Sequence, residues 1–351
     1  MPMTPRIAIN IVAWNSMRFL PDLLASIEAQ TWREFSVLVI DNGSDDGVEA
    51  WLRQNYPSVA LIRNARNLGF APAHNQGIRY AIDHWPSEDL SERFVLVTNP
   101  DIIFTPTYLE TLMVDVGQHP EAASFGGKLL RAFGEHTQDE VLKETVHSDV
   151  IDSTGLVATT LRAFADRGAG EIDAGQYEKT EEVFGISGAL ALYRASALAA
   201  VRYQDEFFDH DFFAYKEDID LAWRFQLCGW SACYVPSAVA YHYRGMFAAE
   251  EKGVRAFVGH RRGQSARRRF YSIRNHWNML MKNELFVNGL LCGPGLLPKE
   301  IARIGYVAVL EPSNLRAFAE ALWRLPRMWK KRLATMRSRR ATAKEMRRWF
   351  A

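Results

Sequence analysis

The sequence predicts an α/β protein: a mostly parallel central sheet with helices on both faces, followed by a basic, helical C-terminal extension. Three observations carry this. Short β-branched runs alternate with helix-length amphipathic stretches from Arg6 to about Trp85; strand-like and helical runs return from Val183 to Tyr243; and the strand signal stops after Arg244. With 351 residues, 48% hydrophobic and 24% charged, the chain has enough apolar material for one large core or two modest ones. A disordered, collagen-like or disulfide-stapled chain is excluded.

Taken in order, IAINIVAW reads as a buried strand, and Asn15 or Ser16 is expected to cap a helix through FLPDLLASIEAQ. FSVLVID is a second strand, Asp45 or Asp46 opens a helix to Tyr56, and VALIR is a third strand, so the unit is βαβαβ and its strands are parallel. An Ala/Gly-rich helix from Ala71 to Asp83, a strand FVLVTNPD and a helix from Thr107 to Gln118 follow. Residues 132–182 are polar, Gly-containing and weakly periodic, and are expected to form loops over the sheet that shape or close a site. EVFGIS, GALALYRASALAAV, EDIDLAWRFQLCG and SACYVPSAVAYHY restore regular structure. Ligands of such sheets bind beyond the carboxyl ends of the strands, where Trp14, Asn15, Asp41 and Asn42 fall.

Cys228, Cys233 and Cys292 neither pair nor repeat at metal-ligand spacing, which suits a reducing, cytoplasmic compartment. MPMTPRIAIN lacks the basic and apolar regions of a secretory signal, and the weakly polar stretch Leu285 to Leu297 is too short and too broken by Gly and Pro to span a bilayer. Charge is divided sharply. Residues 1–251 hold 19 Lys+Arg against 36 Asp+Glu, whereas residues 252–351 hold 23 against 5. The tail therefore meets an anionic partner or packs on the acidic part of its own chain. Its charges interleave with Phe257, Phe270, Tyr271, Trp277, Trp323, Trp329, Trp349 and Phe350, a pattern that favours an anionic membrane surface. A solvated helical appendage is the competing reading, and nucleic acid, though Arg-rich helices bind phosphate generally, is not the expected partner.

Four places carry chemistry. Thr98-Asn99-Pro100-Asp101 ends a buried strand with a carboxylate that could hold Mg²⁺ or Mn²⁺ against a diphosphate; an isolated Asn-Pro-Asp would more simply cap a turn. Asp41, in VIDNGSDDG, can accept hydrogen bonds from a base or ribose, or merely form the turn. Glu217, Asp218 and Asp220 open a helix behind the aromatic run Phe212-Phe213-Ala214-Tyr215. Helix capping accounts for them, but Asp218 backed by such a wall is also placed to take a proton from a substrate hydroxyl. His242 closes a strand-like segment, as a structural histidine or as the imidazole completing a metal site begun by Asp101. No GxGxxG follows the first strand, which counts against NAD or FAD.

In this order and spacing, VAWN, VIDNGSDDG, RNARNLGFAPAHNQGI, NPDI, GISGALALYR, FFAYKEDIDLAWRFQLCGW and YHYRG resemble glycosyltransferase family 2, inverting enzymes of the GT-A fold, over roughly residues 6–245. NPD, DSTG at 152–155 and RGAGEIDAGQYE are most similar to bacterial rhamnosyltransferases that use dTDP-rhamnose. The resemblance implies a catalytic domain at 1–245 and a basic helical region at 246–351. It implies Asp218 as general base, Asp101 and His242 as ligands of Mg²⁺ or Mn²⁺, and Asp41 on the pyrimidine nucleoside with Trp14 near the base. Ala13, Asn15, Asn42, Arg66, Asn67, Gly69, Asn75, Asn99 and Glu217 would line the nucleotide sugar. Asn99 departs from the family's usual Asp and lowers the negative charge of the site. The implied acceptor is a glycan on a polyprenyl carrier, with the protein in the cytoplasm, peripheral on the inner face of the plasma membrane. A UDP-hexose donor and a non-catalytic nucleotide-sugar-binding module are the alternatives. Because every implied site residue precedes Arg244, removing the chain from about residue 315 is expected to spare nucleotide binding.

Overall fold

The structure, a computed structural model, describes residues 5–85, 87–134, 145–243, 263 and 265–350. The domain boundary expected at 245/246 and the Arg-Gly of YHYRG lie outside the described residues.

Strands β1 (Ile7–Ala13), β2 (Phe35–Asp41), β3 (Ala60–Arg63) and β4 (Phe94–Thr98) alternate with helices α1 (Leu20–Glu28), α2 (Val48–Asn55) and α3 (Phe70–His84). These strands pair in parallel in the order β4-β1-β2-β3. Strand β1 is buried on both faces, as parallel strands must be when helices cover each side. Ile7, Ile9, Ile11, Phe94 and Leu96 enter one core with α1, α2 and α4 (Tyr108–Gln118). Ala8, Val95 and Val97 enter the opposite core with α3, α5 (Ala195–Val201) and α6 (Glu217–Leu227). From β1 the chain moves outward to β2 and β3 on one side, then crosses back through α3 to β4 on the other. The resulting switch point opens a crevice at the carboxyl ends of β1 and β4.

The remaining strands make the sheet mixed. Strands β5 (Ile102–Phe104), β6 (Ala122–Gly134), β7 (Thr145–Ser153), β10 (Glu181–Glu182), β11 (Leu190–Arg194) and β12 (Ser231–Tyr243) extend it in the order β10-β12-β6-β11-β4, with β5 on β12 and β7 on β6. Of these pairings only β6 with β12 is parallel. Strands β8 (Leu156–Ala158) and β9 (Phe164–Asp166) form a separate hairpin. Residues 132–182 are thus not simply loops over the sheet. Their described part carries β7 to β10, and Asp152, Ser153 and Thr154 are buried.

Two expected caps take other roles. Phe19 and Gly47 precede α1 and α2, neither with a side-chain cap. Instead Asn15 Oδ1 accepts the Asp45 N–H at 3.0 Å and Asp46 Oδ2 accepts the Met17 N–H at 2.8 Å, so both side chains lace the β1–α1 turn to the β2–α2 turn.

The tail forms α7 (Ala266–Asn283), α8 (Phe286–Leu310), α9 (Leu315–Trp323), α10 (Leu325–Arg337) and α11 (Ala343–Arg347). Much of its positive charge meets the acidic part of the same chain. The Lys282 ammonium sits 2.6 Å from Asp209 and 2.7 Å from Asp220, and Lys331 bonds Glu206, Asp209 and Asp211, all buried. At the chain end Phe350 packs 5.1 Å from Trp223, and the Arg162 guanidinium lies 3.8 Å over its ring. The expectation that residues from about 315 can be removed without touching the site is therefore corrected: α10 and the chain end are part of the fold that holds α6.

Candidate active site

The turn after β4 is the centre of the site. Asn99 N–H donates to the Ala189 carbonyl at 2.8 Å, and one residue earlier Gly188 N–H donates to Asp218 Oδ2 at 3.0 Å. Asp218, at the start of α6, and Asn99-Pro100-Asp101 thus converge on one turn although more than a hundred residues separate them. Gly188 suits this close approach, because a Cβ there would lie 3.0 Å from that of Asp218 and would press on it. Burial pushes the Asp218 carboxyl above its ordinary value, partly offset by the N–H groups of Gly188 and Ile219.

The loop in front of Asp218 is strained. Phe213, Tyr215 and Lys216 hold φ of +61°, +71° and +69°, left-handed values that cost non-glycine residues of order 1–3 kcal/mol each. Asn275 of α7 pins it, its buried amide donating to the carbonyls of Phe212, Ala214 and Tyr215 at 2.8–2.9 Å. Tyr271 stacks on Phe213 with ring centroids 4.9 Å apart. Gly69 meets the same loop from the other side. Its φ is +91°, and a Cβ would fall 2.5 Å from the Phe213 carbonyl oxygen. Gly69→Ala should therefore lower the melting temperature and weaken nucleotide affinity together, by roughly 1–3 kcal/mol of strain; unchanged melting would show that the loop yields freely.

Asp101 faces His242 across the β5–β12 pairing, with Asp101 Oδ1 3.2 Å from His242 Nε2. On the far side of the ring, His242 Nδ1 lies 2.7 Å from Asp152 Oδ2. Burial opposes the imidazolium, but the two carboxylates outweigh it and lift His242 to about 9. This arrangement fits a divalent ion. Asp101 Oδ1 is buried and its contact with Nε2 falls short of hydrogen-bond geometry, so the two atoms face each other where an ion could sit, and a carboxylate behind Nδ1 is how proteins orient a ligating imidazole. Among the described residues no group of three or more His, Cys, Asp or Glu could hold a metal by itself, so phosphate oxygens would have to complete the sphere.

At the end of β2, Asp41 is buried. Its Oδ1 accepts the Ser44 N–H at 2.8 Å, and its Oδ2, which makes no hydrogen bond, lies 3.4 Å from Arg63 Nε. It borders a depression of about 440 Å³. Ala13, buried, pairs with Asp41 in register, while Trp14 is 50% exposed at the lip of the crevice. Arg66 is exposed and its backbone packs on Gly43; Asn67 Oδ1 accepts the Gly69 N–H at 2.8 Å.

Three expected nucleotide-sugar contacts are corrected. Asn42 is buried and spends its amide on Asn67, Gly69, Asn64 and Leu68, so it shapes the 64–69 loop. Asn75 is fully buried and bonded to the backbone of Phe207 and Phe208. Glu217 is buried, its Oε2 without a hydrogen bond, and burial followed by the charge of Asp218 raises it well above the usual carboxylate range. Its surroundings thus disfavour a charge at the helix start. Sequence reasoning missed Asp152, Gly188 and Asn275. DSTG contains the first; for Asn275 no local pattern exists, because its bonds reach back about 60 residues.

Carboxylates thus stand at the end of β2 and just after β4, and Asp218 faces the turn that Asn99 and Gly188 share; the fold is that of enzymes solved with nucleotides. GalNAc-T7, solved with UDP, GalNAc and Mn²⁺, superposes on 79% of this chain with a TM-score of 0.54 at 12% identity; this chain spans only 48% of its length. TarS residues 1–349 from S. aureus, solved with UDP, covers 98% of this chain and is covered to 91%, with a TM-score of 0.51 at 13% identity. The protein is a glycosyltransferase of the GT-A fold. The chain belongs to glycosyltransferase family 2, whose model, Glycosyl transferase family 2, matches residues 8–202. Among curated proteins it is 30% identical over 253 residues to the N-acetylglucosaminyl-diphospho-decaprenol L-rhamnosyltransferase of Mycobacterium tuberculosis, covering 69% of this chain and 77% of that one.

Proposed function

We infer that the protein is an inverting rhamnosyltransferase, moving rhamnose from dTDP-rhamnose to a hydroxyl of a glycan carried on a polyprenyl diphosphate. The observation that carries the reaction class is the convergence of Asp218 and the Asn99–Asp101 turn on Gly188 and Ala189. The similarity to the mycobacterial rhamnosyltransferase supports the donor and acceptor.

In the proposed step Asp218 removes the proton of the acceptor hydroxyl, whose oxygen forms the new bond at the anomeric carbon as the bond to the diphosphate oxygen breaks. The nucleoside diphosphate leaves from the opposite face, so configuration inverts. Asp101 and His242, the latter oriented by Asp152, would hold Mg²⁺ or Mn²⁺, which when bound supplies Lewis-acid stabilisation of the departing diphosphate. Asp41 holds the nucleoside, and the Phe213–Lys216 loop fixes Asp218 toward the acceptor.

A thermal-shift screen of nucleotide sugars tests the donor: a ligand at 100 times its Kd adds about 2.7 kcal/mol of stability. dTDP-rhamnose should stabilise the protein most. Stabilisation by a UDP-hexose instead would replace the donor while keeping the reaction class. Asp101→Ala should abolish the enhancement of nucleotide diphosphate binding by Mg²⁺ or Mn²⁺, measured by titration calorimetry. Equal enhancement in both proteins would leave Asp101 as a turn residue only.

A further inference from the structure

Helix α8 is built inside out. A helix at the surface of a globular protein turns its apolar stripe to the core and its charges to water. In α8 the only charged residues, Lys299, Glu300 and Arg303, lie on the protein side: Glu300 is buried and bonded to His276 and Trp277, Arg303 pairs with Glu300, and Lys299 donates to the Leu161 carbonyl. Among its 25 residues only Asn288, Glu300 and Val307 are buried. The face turned away is uncharged from end to end. Phe286 is 75% exposed, Leu297 63% and Val309 78%, and Leu290, Leu291 and Ile301 stand on the same arc.

We propose that this face of α8 is a membrane-docking surface that lies in the plane of an anionic bilayer with its apolar side chains below the headgroups. No described helix is long and apolar enough to cross a membrane, so the geometry is interfacial. Charge selects the occupant. The tail around α8 holds 23 Lys+Arg against 5 Asp+Glu between residues 252 and 351; Arg316 is exposed on α9, Lys330 and Arg337 on α10, and Arg339 just after it. A second copy of the chain would bring the same cations face to face, whereas anionic lipid neutralises them. Trp323, 79% exposed, and Trp329 supply the amphipathic aromatics that settle at headgroup level. The sequence pattern alone suggested an electrostatic anchor spread over the whole tail. The structure narrows this, because Tyr271, Trp277, Lys282 and Lys331 are used internally and most of the exposed apolar side chains of the described tail are on α8.

The test is flotation of the full chain with phosphatidylglycerol-containing vesicles at low and high salt, alongside the Leu297→Glu/Ile301→Glu double variant. Both positions are exposed, so the variant should melt like the wild type. Expected is wild-type binding that persists when the Debye length is cut to roughly 3 Å by 1 M salt, and a loss of at least about tenfold in the variant. Wild-type binding that salt abolishes and the variant leaves intact would overturn the apolar anchor in favour of surface charge. A wild type that is dimeric in sedimentation and ignores vesicles, with a monomeric variant, would show instead that the face joins two copies. None of these readouts depends on the donor or the reaction.

Discussion

Asp218→Asn is expected to lower the rate of transfer by about 10²–10⁴-fold, the usual contribution of a general base, while nucleotide binding stays near that of the wild type. The argument is geometric first. Asp218 Oδ2 is held by the Gly188 N–H and Oδ1 by the Ile219 N–H, so the carboxylate has one orientation, and the amide keeps its volume and an acceptor but cannot take a proton. Electrostatics add a second signature. Burial raises the Asp218 carboxyl above its ordinary 3.8, so the wild-type rate should fall on the acid side at a pH above that value as the base becomes protonated. In the variant the residual rate should lose that acid limb. Retention of more than about a tenth of wild-type kcat with binding unchanged would remove Asp218 from the role.

The parallel half of the fold and both strand-end carboxylates were legible because their determinants are local. A β-branched run such as FVLVT, buried on both faces, can be little else than an inner strand, and its polar sequel Asn-Pro-Asp must then emerge at the crevice. Asn42, Asn75 and Glu217 misled because polarity in a motif does not say which way a side chain points; all three turned inward to satisfy buried backbone or to pack. Asp152 was hidden by the polar composition of its segment. Its strand is recognisable only through pairing with β6, where Leu130 sets Ile151 in register. The tail was legible as charge and helix, but not as a clamp. Arg274, Lys282 and Lys331 find their partners 60 to 125 residues away, and no periodicity encodes that.

Lys331→Met is expected to destabilise the protein by about 3–5 kcal/mol, because it leaves buried carboxylates without their central cation. The Lys331 ammonium is 2.6 Å from Glu206 and 2.9 Å from Asp211 and also bonds Asp209, and all four groups are nearly inaccessible to water. Burial disfavours the Asp209 charge, but Lys282 and Lys331 outweigh it and hold its carboxyl far below the usual range. A carboxylate depressed in this way contributes stability that is fully present above its unfolded value and is lost as pH falls through the folded one. The deficit of the variant should therefore be largest near neutral pH and shrink below about pH 4, where the orphaned acids protonate and the wild type loses its own ion-pair contribution. Thermal unfolding of the two proteins across that range gives the measurement. Since the 206–212 segment receives Asn75 and precedes the strained Phe213 loop, nucleotide affinity should fall with stability. A variant that melts within about a degree of the wild type at neutral pH would mean that Arg324, Arg327 and Lys282, which pair with Asp211, Glu206, Asp209 and Asp220, suffice to neutralise the cluster, and that Lys331 adds little to the hold of α10 on the rest of the protein.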